Sequence, residues 1–283
     1  MTLALACSFN KSNMQYNHTL SIQYFVEWLR NGHFSTVNHS WDVGRSTRIS
    51  LGQWEKYGIE KGDFELAQVM VNGRLEYEEY SGNGSLMRIV PVGLVYWRDS
   101  RLAREIARTH GQITHPSLAC VEACEAYTEL VCKVMNGWWF CFCLLSSQDL
   151  STDGFIGETK KQLFHAVSVF PFTHSALKER LSLYRYRTIS DWKAKEPSDM
   201  KSSGWVVDTL ECALWAFFKY DTWKDGALAV VNLGGDSDTA GAVYGGLAGS
   251  FYGFDAIPGE WVDGMQNKGF IGSIAGALSD GIA

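Results

Sequence analysis

Gly241, Gly245, Gly249 and Gly253 recur at every fourth position after Ser237, with Gly246 beside them. At helical spacing this puts four glycines on one face. Each glycine inside a helix costs about 1 kcal/mol relative to alanine, so a segment that keeps several must recover the loss in packing. The expected recovery is a second helix lying close against the bare face, which requires a many-helix architecture with this segment deep inside it. The rest of the chain agrees. Apolar residues fall at three- and four-residue intervals, prolines number five, and no stretch alternates as a strand would. With 46% hydrophobic residues, 283 residues can bury one large core. The expectation is an all-α fold, a single compact many-helix domain over residues 1–283.

Along the chain, Leu20, Tyr24, Phe25, Trp28 and Leu29 predict a helix after His18-Thr19 that stops at Gly32. Residues 33–62 are rich in Gly, Ser, Asn and Thr and predict short helical turns at most. Helices are expected over Leu86–Trp97, over Arg101–Thr109, and from Pro116 to about Met135. Residues 149–157 and 185–203 read as loops. Then come helices over Trp205–Phe218, over Asp221–Asn232 with Asp221-Thr222 as cap, and over Ser237–Tyr252. Another begins at Pro258, and a last one ends near Ser279.

The formal net charge is -6 and no long basic run occurs, so nucleic acid is not an expected partner. The longest apolar run, Thr239 to Phe254, is shorter than the roughly 20 residues of a membrane helix and opens beside two aspartates. No membrane association is expected, and Met1–Asn10 reads as the end of a helix. Cys120, Cys124 and Cys132 share a helix face, and no CxxC pair accompanies the seven cysteines. Buried thiols acting as small hydrophobes suit this pattern better than zinc ligands, and unpaired thiols suit a reducing compartment, the cytoplasm or nucleus.

Chemistry concentrates in Asp236-Ser237-Asp238-Thr239, which follows Gly234-Gly235 at a helix start. The plain reading is a helix cap, since Asp and Ser serve that role and an acid favours the N-terminal dipole. A cap needs one side chain, however, and three oxygen donors crowd this turn. Oxygen-only donors suit a hard cation such as Mg²⁺ or Mn²⁺. An EF-hand loop beginning at Asp236 fails, because its twelfth position is Leu247.

Val231-Asn232-Leu233-Gly234-Gly235-Asp236-Ser237-Asp238-Thr239-Ala240-Gly241-Ala242 resembles the C-terminal signature of the ADP-ribosylglycohydrolases. Further segments match in the same order. They are Gly82-Asn83-Gly84-Ser85-Leu86-Met87-Arg88, Thr114-His115-Pro116 with Cys120–Ala123, Gly204–Leu210 with Ala213–Trp215, and Leu247–Gly253 with Ile257-Pro258 and Trp261. The resemblance implies an all-α fold and hydrolysis of the bond between the anomeric ribose carbon of ADP-ribose and a leaving group, on an N, O or S atom of a modified substrate. It implies two Mg²⁺ or Mn²⁺ ions, with Asp236, Asp238 and Thr239 as metal ligands. Gly82, Asn83, Gly84 and Ser85 would lie beside ADP-ribose with backbone N–H groups near phosphate, and His115 would sit near the substrate. No catalytic residue is assigned. The implied partner is ADP-ribose or an ADP-ribosylated protein.

The family's other metal half, Thr-Asp-Asp-Thr, precedes a stretch much like Met1–Ala6 and has no counterpart in the 283 residues. Half a binuclear site implies impaired activity, with metal bound weakly at most. The alternative is a pseudoenzyme that binds ADP-ribose without cleaving it, or serves structurally as crystallin-like proteins do. A third reading keeps only the fold and takes Asp236–Thr239 as a cap.

Overall fold

A computed structural model describes residues 1–144, 152–183 and 185–282, and the side chains of these except 138–144 and 152–156. The fold is all-α. Fifteen α-helices are present among the described residues, joined by short 3-10 turns and one π-helical turn at Trp54–Ile59. No strand forms there; one isolated antiparallel bridge joins Gly82 to Trp205.

The centre of the molecule is the helix Val206–Lys219, from Val206 to Phe218 buried on every side. A helix apolar all round has to be wrapped by others. Leu118–Leu144, Ser237–Tyr252 and Trp223–Val231 pack around it. The glycine-rich helix Ser237–Tyr252 meets neighbours on two sides. Toward Trp223–Val231, a Cβ on Gly241, Gly245 or Gly249 would find only ordinary contacts, 3.7 to 4.0 Å from Val231 or Trp223. The tight approach is at Gly246, where a Cβ would stand 2.5 Å from the Tyr127 hydroxyl. That hydroxyl donates to the Val243 carbonyl at 2.9 Å. Gly253 is not part of the bare face; it ends the helix at φ +81°.

The helix His18–Asn31 forms where expected, with Asn17 capping its start and Gly32 at φ +71° closing it. Elsewhere the boundaries differ for physical reasons. Residues 33–62 contain a nine-residue helix, Arg45–Gln53, followed by the π-helical turn. Its buried positions are Ser46, Thr47, Ser50 and Leu51, so a largely polar face is inside and hydrophobic periodicity cannot reveal it. Leu86–Trp97 divides into a 3-10 turn, Leu86–Arg88, and a six-residue helix, Val90–Val95, entered through Pro91. The 185–203 stretch holds the helix Ile189–Lys193, started by a Thr188/Asp191 capping box. Thr152–Ser168 is helical, against the loop expected there, while residues 149–151 lie outside the described ones. The first helix runs Thr2–Lys11 and the last Lys268–Ile282.

Cys120, Cys124 and Cys132 are buried, unpaired thiols. The side chains of Cys141 and Cys143 lie outside those described. No helix among the described residues is long and apolar enough to cross a membrane.

Candidate active site

Three segments far apart in sequence are knitted together by backbone hydrogen bonds at one edge of the helical core. The Asn83 N–H donates to the Gly204 carbonyl at 3.0 Å, and the Val206 N–H to Ser81 at 2.9 Å. The Asp236 N–H donates to the Ser202 carbonyl, also at 3.0 Å. Gly235 makes the last contact possible. It sits at φ +61°, and any Cβ there would overlap the Ser202 carbonyl oxygen. The Gly234-Gly235 pair therefore serves a backbone-to-backbone approach, with both residues in the left-handed region.

The 202–205 segment is itself braced from below. Ser203 Oγ donates to Asp208 at 2.5 Å, and Arg180 binds both Asp208 and Glu211 with its guanidinium lying 5.6 Å from the Trp205 ring centre.

These segments open onto a cavity of about 700 Å³. Asp236, Asp238, Thr239, Gly82, Asn83, Gly84 and His115 all line it. Asp236 occupies the cap position of Ser237–Tyr252 but makes no side-chain cap bond. Its Oδ2 instead accepts from Asn83 Nδ2 at 2.7 Å, and the same amide reaches Thr209 Oγ1 at 2.8 Å. A cap that does not cap counts against the plain reading of this turn. Asp238 and Thr239 follow on the first helical turn, Asp238 exposed and Thr239 buried.

Ser85 is placed differently from its neighbours. Its side chain is fully buried beneath the cavity, where Cys124 Sγ approaches its hydroxyl at 3.5 Å. The N–H groups of Gly82 and Asn83 are also taken, by the Tyr80 and Gly204 carbonyls. Since Ser85 is wholly buried and does not line the cavity, the expectation of backbone donors for a phosphate narrows to Gly84.

His115 closes over this loop. A Cβ on Gly84 would stand 2.8 Å from the His115 ring, so only glycine fits beneath the imidazole. Burial, and then the charge of Arg88, lower the His115 pKa to about 3. Arg88 lies wholly inside the protein, where its guanidinium donates to the Gly84 carbonyl at 2.9 Å and to Thr114 Oγ1 at 2.7 Å. Its face lies 4.7 Å from the Phe25 ring centre, and burial lowers its own pKa to about 10.

Part of the remaining wall comes from residues the sequence reading passed over, among them Trp41, Asp42, Arg45 and Thr47, then Glu79 and Tyr80. Arg45 sits over the Tyr80 ring at 5.3 Å. Asp42 holds a left-handed backbone at φ +45°. A signal existed in Asp42-Val43-Gly44, an acid two positions from a glycine, though not adjacent to it as Asp236 is to Gly235. The surrounding polar composition hid it.

The donor set can be tested against two hard cations. Asp236, Asp238 and Thr239 supply oxygen atoms only, as Mg²⁺ or Mn²⁺ requires. They come from the start of one helix. Among the described residues no group of three or more His, Cys, Asp or Glu could hold an ion. The residues present are of the donor type one such ion takes, and among those described they do not make up a two-ion centre.

A family model described as ADP-ribosylglycohydrolase matches residues 1–283. An ADP-ribosylarginine hydrolase Tri1 of Pseudomonas putida (strain GB-1) is 26% identical over 281 residues, 99% of this chain. The chain spans 64% of that relative's length. An ADP-ribosyl-[dinitrogen reductase] glycohydrolase of Rhodospirillum rubrum is 44% identical over 73 residues, 26% of this chain and 25% of the relative. Among solved structures, an ADP-ribosylglycohydrolase-related protein complex superposes with a TM-score of 0.70 at 25% identity, over all of this chain and 80% of that one.

Proposed function

The chain belongs to the ADP-ribosylglycohydrolase family, and from that premise we propose that its cavity binds the ADP-ribose unit of an ADP-ribosylated substrate and supports hydrolysis at the anomeric ribose carbon. One observation carries this reading. Residues from three remote stretches, Gly82–Gly84, His115 and Asp236–Thr239, line a single cavity of about 700 Å³, within the range of small-molecule sites. The Gly84 N–H group and Arg45 would face the diphosphate. Asp236, Asp238 and Thr239 would hold a Mg²⁺ or Mn²⁺ ion, which supplies Lewis-acid polarisation when bound. Asn83 keeps Asp236 oriented through the 2.7 Å bond. His115 donates to the bound unit without carrying charge.

Hydrolysis of a glycosidic bond passes through an oxocarbenium-like state and needs a group to move a proton at the leaving atom. We assign to Asp42, a carboxylate on the cavity wall held in a sparsely populated backbone region, the task of taking the proton of the water that adds to the anomeric carbon and passing it to the leaving atom as the glycosidic bond breaks. The leaving group is proposed to be an arginine side chain. The carboxylates of Asp42 and Glu79 beside Trp41 and Tyr80 suit a planar cation, and the Pseudomonas putida relative bears the name of an arginine-directed hydrolase.

The incomplete donor set argues that these 283 residues bind better than they cleave, which keeps a non-catalytic ADP-ribose binder as the second reading. Calorimetry with ADP-ribose, with and without Mg²⁺, alongside release of ADP-ribose from ADP-ribosylated arginine, separates the two. Binding is expected at micromolar to millimolar affinity, strengthened by Mg²⁺, with slow or no release. Release at a rate typical of enzymes, about 1 s⁻¹ or more, would overturn the impairment. No binding with or without Mg²⁺ would leave a structural role.

Met1, Thr2 and Leu3 line the same cavity. Any residues joined ahead of Met1 would therefore enter at this wall. A polypeptide extended upstream with a Thr-Asp-Asp-Thr segment is expected to bind Mg²⁺ more tightly than the 283 residues alone. Equal affinity would count against a shared metal centre.

A further inference from the structure

Arg88 contacts two buried histidine systems, and a guanidinium has no acceptor atom, so each of its bonds fixes where a proton lies. Its Nε–H donates to His110 Nε2 at 3.2 Å. That nitrogen must hold the lone pair, so the proton of the neutral His110 ring is on Nδ1. His110 Nδ1 is buried with no polar partner, and the rings of Phe25 and Tyr16 stand edge-on to the imidazole. Among the described residues no other polar group competes to set this tautomer.

The other arm acts through Thr114. Arg88 Nη2 donates to Thr114 Oγ1 at 2.7 Å, and the same hydroxyl lies 2.7 Å from His115 Nδ1. With the guanidinium occupying one lone pair, the hydroxyl proton needs an acceptor, and His115 Nδ1 is at hand. The reverse assignment, His115 Nδ1–H donating to Oγ1, would leave the proton of a fully buried hydroxyl without an acceptor. The His115 proton therefore belongs on Nε2. That nitrogen is on the cavity side, 3.1 Å from where a Cβ on Gly84 would stand and 3.7 Å from one on Gly82. Arg88 also holds the Gly84 carbonyl, so one guanidinium fixes both the loop and the ring above it.

We propose that Arg88 is a positioning residue that sorts His110 and His115 into opposite tautomers, His110 with its proton on Nδ1 and His115, through Thr114, with its proton on Nε2 and aimed into the cavity. Burial, and then the charge of Arg88, hold both rings far below the ordinary histidine range, His115 at about 3. Each ring stays neutral, so one N–H donor faces the ligand and brings no charge with it. The atoms it would serve are acceptor oxygens, phosphate or ribose, of an ADP-ribose unit. That last step rests on the proposed reading of the cavity; the tautomers do not.

Long-range ¹H–¹⁵N correlation spectra of the ¹⁵N-labelled protein read the tautomer of each ring, with His115→Gln giving the assignment. The wild-type protein is expected to show two rings of opposite pattern. In Thr114→Val, close to isosteric, the His115 pattern should shift toward a mixed population while His110 keeps its own, which also reports an intact core. Thr114→Ser should restore the His115 pattern, and it carries the test if the valine variant does not fold. The same tautomer in both rings of the wild type would overturn the proposal. So would an unchanged His115 pattern in a folded Thr114→Val, or a lost one in a folded Thr114→Ser. Calorimetry with ADP-ribose on the same proteins should find Thr114→Val weaker by about tenfold, the value of one hydrogen bond. If the wild type binds no ADP-ribose, the reading of the cavity falls together with the ligand served by Nε2–H, while the spectra still decide the tautomers.

Discussion

Asp236 is the residue on which the cap and metal-ligand readings diverge most sharply. Its carboxylate accepts an amide from Asn83 and leaves the helix start uncapped. Asp236→Asn and Asp238→Asn should therefore change folding stability by no more than about 1 kcal/mol. The part of ADP-ribose binding that depends on Mg²⁺ should vanish in both. Thermal melts paired with calorimetry check this, and a large stability loss with unaltered ligand response would restore the cap reading. Gly235 is the opposite kind of position. Gly235→Ala meets both a left-handed φ and the Ser202 carbonyl, and a loss of about 2 kcal/mol or more is expected in urea melts.

At the level of elements, the glycine-rich helix offers a paired test. Gly246→Ala drives a methyl against the Tyr127 hydroxyl, which is itself bonded to Val243. Overpacking of this kind costs roughly 1–3 kcal/mol. Gly245→Ala meets only Trp223 at 3.9 Å, and the gain in helix propensity, up to about 1 kcal/mol, should leave it neutral or stabilised. Equal destabilisation of the two in chemical denaturation would contradict the packing described. The regular spacing of glycine thus marks a helix in contact with neighbours on more than one side, with its tightest point at the glycine outside the four-residue series.

For the whole molecule, three histidines lie below their ordinary pKa because burial disfavours their charge: His18, His110 and His115, the last at about 3. The unfolded chain takes up these protons near pH 6.5 and the folded chain does not. Below that pH the unfolded state binds more protons, so stability rises with pH there and falls as the solution is acidified. Each fully depressed histidine contributes a slope approaching about 1.4 kcal/mol per pH unit below 6.5. Urea midpoints should drop between pH 7 and pH 5, where most carboxylates are still ionised, and the drop should shrink in His115→Gln. A midpoint that is flat over this interval would contradict neutral, buried rings.

The sequence alone determined the all-α class and the Asp236–Thr239 turn, and the matching segments singled out Gly82–Ser85 and His115, of which the structure brings Gly82, Asn83, Gly84 and His115 to one cavity. Such features are local: a period of 3.6 residues, a glycine pair, and three oxygen donors within one turn are written in consecutive residues. The nine-residue helix Arg45–Gln53 was hidden because Ser46, Thr47 and Ser50 fill its buried face, and polar burial leaves no hydrophobic period to read. Asp42 and Arg45 reach the cavity because that helix meets the Gly82–Gly84 loop, with Thr47 Oγ1 3.4 Å from where a Cβ on Gly84 would stand, while Glu79 and Tyr80 belong to the 3-10 turn just ahead of the loop. Tertiary structure also decided that Ser85 turns inward, that Asp236 serves Asn83 in place of its own helix, and that Arg88 joins His110 to His115. Each outcome depends on which distant donor meets which acceptor, and that pairing is set when the helices close on one another around Val206–Lys219.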